Sequence, residues 1–471
     1  MVRRFPTVAS ESAKAILGET LKFPSGKIAQ NRFLKAALTE MLSVFEPTNP
    51  KVNGVPTQEI INVYDKWGNG QFGVILTGNV QVSPVHLEAP GNAMIFKEGE
   101  TPARREAYKQ WAKVIKQDGA LAVVQLSHGG RQTPITVNSS PFSASDVQLD
   151  KEVRFVGFGK PIPLTVEQIT TEVIDRFVYA AKYAYETGFD GVQLHGAHGY
   201  LLAQFTSPTT NKRTDQYGGS VANRQRIVLE IYEAIRKEIP ASTGFLIGLK
   251  TNSVEFQSEG TTVEDAVEMC KAYEKIGFDF VELSGGTYEQ LAFQHIRDST
   301  RQREAFFLEF AEKVSSWNIQ ATFSMLYFQI RPVFKNTVVY LTGGFRTVNA
   351  MVDAVKSGAT QGIGLGRPIT AEPDLPKKIL QGAVASAVHD ALDQNNFAIS
   401  LLASNTQIEQ MGRNSLKEAN EDVTFGLSDF SDEDTVKRFG KAIEDFIELT
   451  KVQASQGVAI PAFITFEGVE V

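Results

Sequence analysis

Gly191-Val192-Gln193-Leu194-His195-Gly196-Ala197-His198-Gly199-Tyr200-Leu201-Leu202-Ala203-Gln204-Phe205-Thr206-Ser207-Pro208 begins as a short apolar strand and breaks after four residues into glycine-punctuated polar positions. His195 and His198 stand three residues apart, a spacing that puts two side chains on one face of a tight or helical turn. Two imidazoles so placed form a fork that grips one oxygen or one metal ion. Tyr200 adds a phenol two residues on. The bland alternative is a pair of structural histidines at a strand end. The chain has only six histidines, so their pairing here is not a product of abundance.

Working outward, the same strand-then-polar-loop pattern recurs. Apolar runs at 33–38, 74–76, 121–126, 191–194, 245–249, 280–283, 338–341 and 362–365 alternate with helical periodicity. Eight such runs separated by helices predict a (β/α)8 TIM barrel. A doubly wound sheet gives the same alternation but concentrates phosphate-binding glycines after its first strand. Here the glycines follow the last strands. Thr101–Pro102 opens a helix, Thr165–Gln168 and Thr261–Glu264 read as capping boxes, and Gly188 and Gly277 stand where helices stop. Residues 134–163, between the third and fourth strands, form a long loop of the kind that is functional or covers something, with a small hairpin around 154–158. The barrel is assigned to 20–380. Residues 381–471 form a mainly helical extension: helix over 381–410, an acidic loop at 415–434, a helix over 435–453 and an apolar tail at 458–471. It packs on the barrel's outside, or serves as a homodimer contact or a lid.

The 471 residues are 42% hydrophobic and 21% charged with a net charge of −7, the balance of a soluble globular protein. No basic block interleaved with aromatics points to nucleic acid. No run approaches a membrane span, and residues 1–18 do not read as a secretory signal, so the expected location is cytoplasmic. One cysteine, Cys270, rules out an internal disulfide and a cysteine-held iron–sulfur or zinc centre; no metal site is expected.

Active sites of barrels lie at the C-terminal ends of the strands. Those ends carry, in order, Thr39; Thr77-Gly78-Asn79; Gln125; His195 and His198; Lys250; Ser284-Gly285-Gly286; Thr342-Gly343-Gly344; and Gly366-Arg367. Polar donors crowd one mouth. The late glycines let backbone N–H groups approach a phosphate, and Arg367 adds a charged fork.

The stretch around Gly191–Pro208 resembles the H-x-x-H-G-Y-L-x-x-Q-F-x-S-P signature of the flavin-dependent ene reductases, the old yellow enzyme family. Residues 211–224, beginning Asn211-Lys212-Arg213 and ending Asn223-Arg224, are similar to that family's N-x-R-x-D-x-Y-G-G-S-x-x-N-R. The resemblance implies FMN as cofactor, NADPH or NADH as co-substrate, a capping hairpin and loop from residues 134–163 at one end of the barrel, and reduction of the C=C bond of an activated alkene, an enone or related small molecule, by hydride passed through the flavin. It implies that Ala36, Ala37, Leu38, Thr39, Asn79, Gln125, His195, Lys250, Gly343, Gly344, Gly366 and Arg367 bind FMN. His195 and His198 would hold the substrate carbonyl and Tyr200 would protonate carbon. Lys250 stands where most of the family has arginine, and Ala37 where proline is common. His128 and Arg131 either line the pocket or are structural, and the 211–224 motif reads as bracing.

Three other readings share these residues. One is a flavin-dependent dehydrogenase, oxidase or double-bond isomerase on the same barrel. The second is a flavin-free barrel lyase with Lys250 as Schiff-base former. The third is a flavin-binding protein without catalysis.

Overall fold

The structure, a computed structural model of the chain, describes residues 2–7, 12–153, 155–252, 260–284, 330–393 and 396–467. Gly285, Gly286, Arg154 and the end of the tail, 468–471, lie outside the described residues.

Eight parallel strands close into a barrel: β1 Phe33–Lys35, β2 Val74–Gln81, β3 Leu121–Ser127, β4 Gly191–Gly196, β5 Leu246–Asn252, β6 Phe280–Ser284, β7 Val338–Thr342 and β8 Gly362–Leu365. Each pairs with its sequence neighbours, and β8 pairs with β1. All eight apolar runs are strands. β1 is shorter than the run that predicts it, because the chain leaves the ladder after Lys35, whereas β2 runs on to Gln81.

Alternation along a strand sends every second side chain inward. Toward the N-terminal ends the inward positions are apolar: Leu34, Ala36, Val74, Leu76, Val123, Leu246, Phe280 and Tyr340 form one buried cluster. Phe23, beside the hairpin Leu21–Lys22/Ile28–Ala29, plugs this end and meets Phe280 edge-on at 6.0 Å. Gly248 and Gly362 leave the room that the Phe280 and Tyr340 rings fill; a Cβ on either would stand 2.2 Å from a ring carbon. One layer up, the inward positions turn polar.

Helices α1 Gln58–Gly68, α2 Pro102–Ile115, α3 Asp175–Glu186, α4 Arg226–Glu238, α5 Val263–Ile276 and α6 Val348–Lys356 cover the strands. Thr101 caps α2, with proline at its first position, and Thr165–Gln168 is a full capping box. For α5 the cap is Thr262, one residue later than the spacing predicts: its hydroxyl accepts from the Asp265 N–H, and Gly277 ends the helix at φ +98°. Cys270 is buried in α5, which pushes its thiol up to about 12.

The C-terminal extension contains α7 Phe397–Arg413 and α8 Glu433–Ser455. The helix predicted over 381–410 is corrected: it forms only from Phe397. Gly382 takes φ +74°, ending the short helix Leu375–Leu380. The backbone beyond is claimed by strand-like bonds, Phe5 N–H to Ala387 O, Ala387 N–H to Arg346 O and His389 N–H to Arg3 O. α7 lies against α1, with Ile408 and Met411 joining the main core. The tail folds back so that Ala462 and Phe463 pack on Met41 and Ala89 beside the barrel mouth. Among the described residues no helix is long and apolar enough to cross a membrane, and no group of histidine, cysteine and carboxylates is arranged to hold a metal ion.

Candidate active site

One cavity at the C-terminal mouth of the barrel is lined by Ala37, Thr39, Asn79, Gln125, His195, His198, Tyr200 and Lys250. Register explains the convergence. Asn79 pairs with Gln125, Gln125 with Gln193, His195 with Lys250, and Lys250 with Glu282, so these inward side chains gather in one polar layer, with His195 one inward step above Gln193 on β4. Asn79 joins that layer because β2 carries a bulge between Leu76 and Asn79, which inserts a residue and re-aims the strand.

Below the mouth the layer is a continuous hydrogen-bond chain. Gln125 Nε2 donates to Gln193 Oε1 (2.7 Å), Gln193 Nε2 to Glu282 Oε2 (2.8 Å), and Lys250 Nζ to Glu282 Oε1 (2.9 Å). The Glu282 side chain is 0% exposed and that of Lys250 6%. Lys250 is therefore half of a buried ion pair rather than a lone cation. Gln193 and Glu282 were not singled out from the sequence. Their signal was a polar residue at an inward position of an otherwise apolar strand, which becomes legible only once the strand's facing is known.

The fork stands above this chain. His195 Nε2 and His198 Nδ1 are 3.2 Å apart, and the Tyr200 ring lies 4.7 Å from that of His195. Burial drives both imidazoles toward the neutral form, helped by the Lys250 charge: His195 is held well below its usual range and His198 falls to about 3. His198 takes φ +59°, rare for a residue with a Cβ. Its backbone is pinned from both sides, N–H to Asn252 Oδ1 and C=O from Gln132 Nε2. Such strain at a site is retained where the surroundings over-determine it.

At the other wall Thr39 Oγ1 donates to Glu88 Oε2 at 2.9 Å, and Asn79 Nδ2 donates to the same oxygen at 3.0 Å. Ala36 does not line the cavity: it belongs to the apolar layer beneath. Leu38 packs on the main core, its Cδ2 3.6 Å from where a Cβ on Gly366 would stand. Gly343 and Gly344 have φ +140° and +77°, positive values that glycine adopts without steric cost. Just before them Thr342 Oγ1 is buried with no hydrogen-bond partner among the described residues. An orphaned donor beside a glycine cradle suits a phosphate or ribityl oxygen, and Gln125 with Thr39 suits the polar edge of a flavin ring, so the residues present fit FMN. The Arg367 guanidinium lies 5.5 Å over the Phe397 ring, in the wall of a separate cavity between barrel and extension that it shares with Arg346 and Asp390.

His128 and Arg131 stand outside the cavity lining. His128 is buried, stacks on His86 at 4.3 Å and accepts from the Gly130 N–H, while Arg131 donates to the Val147 and Gln148 carbonyls. The 211–224 motif braces the cap: Arg213 pairs with Asp215 and donates to the Ala144 and Leu164 carbonyls, and Arg224 binds Asp265 and the Thr206 carbonyl.

The model of the NADH:flavin oxidoreductase / NADH oxidase family matches residues 20–385. The NADH-dependent flavin oxidoreductase nadA of Aspergillus parasiticus is 38% identical over 455 residues, 95% of either chain. The NADH-dependent flavin oxidoreductase iccE of Talaromyces variabilis is 35% identical, across 77% of this chain and 86% of its own. Among solved structures, the old yellow enzyme homologue from Zymomonas mobilis superposes with a TM-score of 0.61 at 23% identity, covering 79% of this chain and 94% of that one. A 2-naphthoyl-CoA reductase reaches 0.69 at 20% identity over 85% of this chain, which spans 58% of that longer protein.

Proposed function

The chain belongs to the NADH:flavin oxidoreductase / NADH oxidase family, and from that premise we propose that it reduces the C=C bond of an α,β-unsaturated carbonyl at the expense of NADH or NADPH. It is an oxidoreductase that uses FMN; FMN supplies, when bound, the two-electron exchange between a nicotinamide and an acceptor. Thr39, Asn79, Gln125 and Lys250 would hold its ring, and Thr342, Gly343 and Gly344 its phosphate end.

The observation that carries the reading is the close approach of two buried imidazoles, His195 Nε2 to His198 Nδ1 at 3.2 Å, with the Tyr200 phenol beside them. His195 and His198 would donate to the carbonyl oxygen, withdraw electron density from the conjugated carbon and stabilise the enolate oxygen as it forms. Tyr200 would give its proton to the α-carbon; an ordinary phenol keeps that proton at neutral pH, as a general acid must. The buried ion pair to Glu282 already engages the Lys250 amine, which disfavours a Schiff base.

The test separates two half-reactions. Protein reduced anaerobically with NADH or NADPH is mixed with a panel of enones, and reoxidation is followed by flavin absorbance. The wild type should be reoxidised by enones. Tyr200→Phe should slow that step by about 10²–10⁴-fold and spare reduction by the nicotinamide. Turnover of an enone isomer without any nicotinamide would favour the isomerase reading, and equal slowing of both halves would make Tyr200 structural.

A further inference from the structure

Each histidine of the fork spends its outer ring nitrogen on a serine. Ser127 Oγ, at the end of β3, lies 3.2 Å from His195 Nδ1, and Ser284 Oγ, at the end of β6, lies 2.8 Å from His198 Nε2. The inner nitrogens, His195 Nε2 and His198 Nδ1, are 3.2 Å apart. The result is an unbroken line of polar atoms, Ser127–His195–His198–Ser284, spanning the mouth from β3 to β6. All four side chains stand on strand ends or are pinned by them, so the line is a property of the barrel and not of a loose loop.

A neutral imidazole carries one N–H, and burial keeps both rings neutral. Which nitrogen holds the hydrogen therefore decides whether a ring donates inward. Two inner N–H groups cannot face one another at 3.2 Å, so in the arrangement seen one ring accepts from the other. A ligand oxygen that takes a hydrogen bond from both rings needs hydrogen on both inner nitrogens. Both outer nitrogens are then bare acceptors in a buried place. Left unpaired, each would penalise the tautomer the ligand needs. A serine hydroxyl is one donor and two acceptors on a free rotor. It can accept from a ring N–H before the ligand arrives and donate to the bare nitrogen afterwards.

We infer that Ser127 and Ser284 are positioning residues that set the tautomers of the fork, donating to His195 Nδ1 and His198 Nε2 so that both inner N–H groups meet one carbonyl or phenolate oxygen. The inference rests on the reading of His195 and His198 as an oxygen-binding pair. It assigns the serines no contact with substrate; they act through the rings.

The test uses the FMN-loaded protein labelled with ¹⁵N-histidine, titrated with p-chlorophenol as an enolate mimic. Six histidines keep the spectrum countable. In the wild-type complex, His195 Nδ1 and His198 Nε2 should resonate as unprotonated nitrogens. Ser127→Ala and Ser284→Ala should each weaken phenol binding by about 5–10-fold and return one ring to a mixture of tautomers. Ser127→Thr and Ser284→Thr, which keep the hydroxyl, should restore both readouts. Alanine variants with wild-type affinity and unchanged ¹⁵N shifts overturn the inference. So does a wild-type complex whose inner nitrogens are unprotonated, a result that stands even if an alanine variant fails to fold. The double change His195→Ala with His198→Ala tests the fork itself. Loss of phenol binding there, with binding intact in the serine variants, removes the inference alone; retention of phenol binding there removes the fork reading as well.

Discussion

Lys250 takes its character from Glu282. A lone cation beside the ring would favour the reduced, anionic flavin. Paired at 2.9 Å with a carboxylate that is itself fully buried, it presents a dipole instead, and Gln193 ties that dipole to Gln125. The two partners should therefore move the flavin potential in opposite directions. Lys250→Met leaves the Glu282 carboxylate without its cation and should lower the potential. Glu282→Gln leaves the ammonium without its anion and should raise it. A charged hydrogen bond of roughly 1.5–3 kcal/mol corresponds to shifts of about 30–65 mV for a two-electron couple. Anaerobic titration against reference dyes measures both. Shifts of the same sign in the two variants would mean that the pair acts on the flavin through packing and not through charge.

At the scale of elements, the bulge in β2 brings Asn79 into the cavity and leaves two backbone groups outside the ladder. Leu76 O accepts from Lys35 Nζ at 2.9 Å, and Gly78 N–H donates to Glu40 Oε1 at 2.8 Å, with the Tyr64 hydroxyl hydrogen-bonded to Glu40 and 3.2 Å from Lys35 Nζ. Lys35 and Glu40 flank the segment that carries Ala37 and Thr39, so one buried cluster holds the bulge of β2 and the exit of β1 together. Burial drives Lys35 down to about 7, against the pull of Glu40. Lys35→Met leaves the buried Ala36 and Leu76 carbonyls without the Nζ donor, at about 1–3 kcal/mol each, and should weaken FMN binding through Asn79. Tyr64→Phe, which loses one hydroxyl, should cost only about 1–2 kcal/mol. Urea midpoints and FMN titrations report both, and an unchanged midpoint in Lys35→Met would show that the bulge does not depend on this cluster. The eight strands and the residues at their ends were legible because each strand is a short apolar run ending in polar donors. The cluster of Lys35, Tyr64 and Glu40 and the Lys250–Glu282 pair were not, because strand facing and the bulge become visible only when the barrel closes. The alanine-rich run after Gln381 misled for a related reason: helix propensity is local, whereas Arg3, Phe5 and Arg346 compete for its backbone from distant parts of the chain.

Across the whole molecule, four of the six histidines sit in one region, from the cap side of the barrel to its mouth. His86 stacks on His128, which lies one residue beyond the end of β3, and His195 and His198 form the fork. All four are held below their usual range by burial: His86 and His198 to about 3, His128 and His195 well below. The native state thus holds them neutral, while the unfolded chain protonates them near pH 6.5. Between that value and the folded value the unfolded state binds more protons, so stability must rise with pH there and fall as the solution is acidified. The histidine contribution should be level above about pH 7 and decline from about 6.5 downward, with a slope approaching about 1.4 kcal/mol per pH unit for each imidazole. A single protected histidine then costs about 2 kcal/mol between pH 6.5 and 5, before most carboxylates begin to titrate. Urea midpoints of the FMN-loaded protein at pH 7.5, 6.5, 5.5 and 5.0 give the slope. His128→Gln, which keeps a polar side chain of similar reach but cannot take the proton, should flatten the curve by one imidazole's share. A midpoint that stays level down to pH 5 would mean that these rings meet water in the native state, and that the neutral fork on which the proposed chemistry depends is not maintained by burial.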